Sequence, residues 1–102
     1  MNKQSVSSRR ALLEDAANTI DGDRNDTYGG PENSFLQIAN FWNAYLRSFD
    51  ICLGPQDVAA MMALLKIARI SATSGKHRDS WLDLAGYAAC GWEVSNHEQQ
   101  PE

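Results

Sequence analysis

The segment from Pro55 to Ala72 constrains this chain more than any other, because it reads as a helix with no polar face. Val58, Ala59, Ala60, Met61, Met62, Ala63, Leu64, Leu65, Ile67, Ala68 and Ile70 follow one another almost without interruption. A helix that is apolar all round is buried. The segment therefore predicts a central helix wrapped by others. Its start is marked by Gly54-Pro55-Gln56-Asp57, with Pro at the first helical position and a carboxylate in the first turn. Two cations break the apolar run: Lys66 and Arg69, three apart, share a face with Met62. Cations in such a place need protein carboxylates, ligand phosphates, or a long stem that reaches water.

Three further helices are expected around it. Ser7 or Ser8 caps a first helix to about Ile20, with an apolar stripe of Leu12, Ala16 and Ile20. Asp21-Gly22-Asp23 stops it, since Gly tolerates a left-handed conformation. A second helix should run from Pro31 to about Ser48, its core stripe being Phe35, Ile38, Trp42, Tyr45 and Phe49 with Leu46 beside them. After the polar loop from Ser71 to Arg78, a last helix starts near Asp79 or Ser80 and continues to about Val94. Ser80 and Asp83 have the spacing of a capping box. Trp81, Leu84, Ala88 and Gly91 fall on one side of this helix, and its small residues would let another helix approach closely.

The stretch between the first two helices is chemically dense. Arg24, Asn25, Asp26 and Tyr28 offer a guanidinium, an amide, a carboxylate and a phenol just before Gly29-Gly30-Pro31. It ends at a helix N-terminus, where exposed amides beside Arg24 favour a phosphate or carboxylate. The alternative is a plain turn, with Asn25 and Asp26 closing Asx turns. Glu32, in the first turn of the second helix, either complements the helix dipole or holds a metal.

Composition narrows the class. At 102 residues the chain makes one all-α domain over 1–94, with a polar arm at 1–7 and a flexible tail at 95–102, and oligomerisation would help a core of this size. A net charge of −4 and a pI near 5.0 argue against general nucleic-acid binding. No apolar run approaches a membrane span, and the N-terminus lacks the apolar core of a signal peptide, so a cytoplasmic protein is expected. Cys52 and Cys90 lack metal-site spacing and read as buried thiols.

The order RNDTYG-x-PEN-x-F, DVAAMMALLKIARI and DSWLDLAGYAACG, covering Arg24 to Gly91, resembles a family of small phage and prophage proteins of unassigned function. That family is in turn distantly similar to the all-α nucleoside triphosphate pyrophosphohydrolases of MazG type. The resemblance implies a MazG-like helical bundle, commonly a dimer, in the host cytoplasm, with ExxE and ExxD motifs on neighbouring helices holding magnesium against a nucleoside triphosphate. Asp83 matches the Asp of ExxD, but its Glu position falls on Ser80, and Lys66 and Arg69 occupy the ExxE spacing. Two acids have become two bases.

Three readings follow from that departure. The favoured one is a homo-oligomer that binds a nucleotide or related phosphorylated small molecule, as a sequestering or regulatory protein, through Arg24, Asn25, Tyr28, Lys66, Arg69 and Trp81. The second is a reduced pyrophosphohydrolase, with magnesium held by Glu32, Asp79 and Asp83, and Asp57 as a further candidate. In the third, Lys66 and Arg69 pair with Asp79 and Asp83 to lock two helices together, with no ligand.

Overall fold

A computed structural model describes residues 7–22, 30–47 and 50–99, with side chains to residue 96. Every regular element among the described residues is a helix: α1 (Ser8–Asp21), α2 (Pro31–Tyr45), α3 (Pro55–Ala72) and α4 (Arg78–Gln99). Local chemistry accounts for most of their ends. Ser7 caps α1, its Oγ accepting from the Arg10 N–H at 3.2 Å. Pro31 and Pro55 stand at the first positions of α2 and α3, and Asp57 Oδ2 accepts from the Gly54 N–H at 2.8 Å. Gly22 ends α1 with a φ of −100°, so left-handed backbone is not what selects glycine there. Crowding does: a Cβ on residue 22 would lie 2.9 Å from the Asn18 carbonyl oxygen.

The start and end of α4 differ from expectation. The helix begins at Arg78, and Ser80 is buried with its Oγ 2.7 Å from His77 Nδ1, while Asp83 turns towards α3. The Ser80 and Asp83 capping box is therefore absent. At the other end α4 runs on to Gln99, since nothing before Pro101 interrupts it.

The centre of the bundle is α4, which packs against α1, α2 and α3. Its small residues make this possible. A Cβ on Gly91 would meet the Ala59 Cβ of α3 at 3.0 Å, and one on Gly86 would meet Ile20 Cγ2 of α1 at 3.4 Å. The buried cluster consists of Phe35 and Ala39 of α2, Val58 and Ala59 of α3, and Cys90 and Val94 of α4, with Ile20, Ile38, Trp42, Met62 and Tyr87 packed against it. Cys52, by contrast, is exposed.

Two expectations about the core need correction. Helix α3 is not buried all round, because Met61, Leu64, Leu65 and Ile67 are 41 to 63% exposed. The stripe of α2 leaves the core after Trp42, Tyr45 being 85% exposed and α2 ending there. Phe49 lies outside the described residues. On α4 the buried positions are Ser80, Gly86, Cys90 and Val94, whereas Trp81 and Trp92 point outwards, 43 and 69% exposed.

Two polar ties fix the helices in register. The Asn43 side chain of α2 donates through Nδ2 to the Leu53 carbonyl at 2.9 Å and accepts from the Leu53 N–H at 2.8 Å. Arg78 Nη2 of α4 meets Asp15 Oδ2 of α1 at 2.7 Å.

Candidate functional site

The four helices border a half-open cavity of about 560 Å³, within the range of small-molecule sites. Thr19 and Ile20 line it from the last turns of α1, and Pro31, Ser34, Phe35 and Ile38 from the start of α2. Met62 and Lys66 reach it from α3, and Asp83, Gly86 and Tyr87 from α4. One wall is aromatic: the Phe35 and Tyr87 rings lie 6.1 Å apart at 28°.

The charge in this cavity is one ion pair. Lys66 Nζ lies 3.0 Å from Asp83 Oδ2, and the lysine side chain is only 12% exposed while the aspartate is 38% exposed. Helical spacing explains the meeting. Lys66 follows Val58, Ala59 and Met62 on the inward side of α3, and Asp83 precedes Gly86 and Cys90 on the inward side of α4. A sequestered ammonium thus finds the carboxylate that its position demands. Ser34, Gln37 and Tyr87 also line the cavity, and none of them has a side-chain hydrogen bond among the described residues.

The other expected site residues are spread out. Arg69 and Asp79 are exposed and line no part of the cavity. Trp81 donates from Nε1 to the Gly75 carbonyl at 3.0 Å, bracing the turn between α3 and α4. The Glu32 carboxylate curls back over Gly30, so that a Cβ on residue 30 would lie 2.6 Å from it. Asp57 is occupied in capping α3. Among the described residues no three His, Cys, Asp or Glu side chains come together as a metal-binding group. Arg24, Asn25 and Tyr28 lie outside the described residues, in the segment that joins the two helix ends lining the cavity. Sequence reasoning missed Phe35 and Tyr87 as a shared wall, because Tyr87 fell off the stripe expected for α4.

Residues 11–95 match the family described as a domain of unknown function (DUF6378). The Gene 55 protein of Mycobacterium phage D29 is 45% identical over 80 residues, which is 78% of this chain and 50% of that protein. The Gene 55 protein of Mycobacterium phage L5 is 42% identical over 78 residues, 76% of this chain and 48% of that protein. The chain thus spans about half the length of these curated relatives. No solved structure matches it. No helix among the described residues is long and apolar enough to cross a membrane.

Proposed function

We propose, for a chain that belongs to the DUF6378 family of phage domains, that it binds a nucleotide or related phosphorylated small molecule in the cavity between its four helices. The observation that supports this reading is the cavity itself: about 560 Å³, more apolar than polar, lined by Lys66 with its partner Asp83 and by Thr19, Ser34, Gln37 and Tyr87. That composition suits a ligand with a flat apolar body and one anionic end. A ring would lie along Phe35 and Tyr87. Its phosphate would be drawn to Lys66, displacing part of the Asp83 contact, and Ser34, Gln37 and the Tyr87 hydroxyl offer further hydrogen bonds. The cavity's two charged residues stand on facing helices, and one of them is basic. A cation that holds phosphate in the ground state does not by itself lower the barrier to hydrolysis. Binding without turnover, as a capture or regulatory function, is the result.

Thermal denaturation across a panel of nucleosides and nucleoside mono-, di- and triphosphates tests this directly. A ligand at 100 times its dissociation constant stabilises the folded state by about 2.7 kcal/mol. At least one phosphorylated ligand should do so, with or without magnesium. The pyrophosphohydrolase reading has its own support, since Asp83, which the sequence resemblance matches to the Asp of ExxD, lines the cavity. Multiple-turnover release of pyrophosphate, abolished by Asp83→Asn, would establish it in place of simple binding.

A further inference from the structure

The charged groups around the cavity fall short of what a chain of phosphates needs. Among the described residues its lining holds one cation, Lys66, and one anion, Asp83, so the two cancel. The other positive sources nearby add nothing to them. Arg69 is exposed and lines no part of the cavity. The N-terminus of α2, where Pro31 and Ser34 line the wall, already has the Glu32 carboxylate folded over it, 2.6 Å from the point where a Cβ on Gly30 would stand. The segment 23–29 between the two lining helices brings one base, Arg24, against two acids, Asp23 and Asp26. Exposure also orders the ion pair, the Lys66 side chain being 12% exposed and that of Asp83 38%. Asp83 is thus the outer member, on the side from which water reaches the cavity.

Resting on the reading of the cavity as a nucleotide site, we infer that Asp83 limits the ligand to a single phosphate: the cavity accepts nucleoside monophosphates and discriminates against di- and triphosphates. A lysine ammonium has three donors. With one of them given to Asp83 at 3.0 Å, Lys66 can still donate to the oxygens of one phosphate. A second and a third phosphate find no further cation in the described lining, and on their way from Lys66 to water they run beside the Asp83 carboxylate. Like charges a few ångströms apart in a partly screened site repel, and one lysine that is already paired does not offset them. Asp83 therefore acts twice, holding the Lys66 ammonium in place and turning away ligands of higher charge. Repulsion of this kind separates ligands that share every other contact with a site.

Calorimetric titration of the full chain with the mono-, di- and triphosphates of adenosine, guanosine, cytidine and uridine tests this, in EDTA so that no divalent cation bridges carboxylate and phosphate. For the nucleoside that binds best, the monophosphate should bind tighter than the triphosphate by about 10-fold or more, with the diphosphate between them. Asp83→Asn keeps the size of the side chain and an acceptor for Lys66 while removing the charge. It should shrink the ratio to about 3-fold or less, chiefly by tightening the triphosphate. A purely structural role of Asp83 would shift all three affinities together and leave the ratio as it was. Should Asp83→Asn fail to fold, the wild-type series decides alone. A triphosphate bound as tightly as the monophosphate, or a ratio unchanged in folded Asp83→Asn, overturns the inference and leaves the binding reading standing. No binding by any member of the series removes that reading, and this inference with it.

Discussion

Lys66 and Asp83 form the ion pair of the cavity, and the exposure of the aspartate lowers what losing the pair should cost. A fully buried pair broken at one member loses about 3–5 kcal/mol, but Asp83 keeps 38% of its side chain exposed. Water can take over part of the carboxylate's solvation. Lys66→Met is therefore expected to destabilise by about 1–2 kcal/mol, in the range of a single charged hydrogen bond, and Arg69→Met by less than about 0.5 kcal/mol. Urea denaturation of the two variants checks the difference, and a double-mutant cycle should couple residue 83 to residue 66 and not to residue 69. Asn43 is the other decisive residue, since its amide satisfies both the N–H and the carbonyl of Leu53. Asn43→Leu should cost about 2–3 kcal/mol, because two part-buried backbone groups lose their partners at once. An unchanged denaturation midpoint would mean that water replaces the amide freely.

At the scale of the helix, packing distances make opposite predictions for two glycines of α4. Alanine is favoured over glycine in a helix by about 1 kcal/mol. At Gly86 the added Cβ would stand 3.4 Å from Ile20 Cγ2, an ordinary van der Waals contact, so Gly86→Ala should keep most of that gain. At Gly91 it would stand 3.0 Å from the Ala59 Cβ, which cannot swing aside, so Gly91→Ala should melt below Gly86→Ala. Equal melting temperatures would show that α3 and α4 separate at no cost. The starts of α1, α2 and α3 were legible in the sequence because capping is local: Ser7, Pro31, Pro55 and Asp57 act through their own neighbours. Which side of each helix faces inwards was less legible. In α3 both sides are apolar, and in α4 the largest apolar residues, Trp81 and Trp92, lie outside while Ser80 and Gly86 lie inside. Periodicity reports where apolar surface is, and not which of two partners covers it. The meeting of Lys66 with a carboxylate of the last helix was foreseeable from the penalty on a lone buried cation. That Arg69 would not join it was not, because a shift of three residues on a helix leaves the side chain free to pass the edge of the contact.

For the molecule as a whole, α3 separates two surfaces: Met62 and Lys66 face the cavity, and Leu64 and Leu65 face outwards. Substitutions on one side are expected to leave the other intact, so Leu64→Glu should not remove ligand binding wherever the fold survives. The central claim is that the cavity takes a phosphorylated small molecule at Lys66. Calorimetric titration of the wild-type chain and of Lys66→Met with the nucleotide that stabilises it best, with and without magnesium, tests it most directly. The account predicts one ligand per chain, affinity retained without magnesium, and a loss of about 10-fold or more in Lys66→Met, equal to about 1.4 kcal/mol. Binding that leaves Lys66→Met unaffected, or no binding by any phosphorylated nucleoside in the panel, would contradict it.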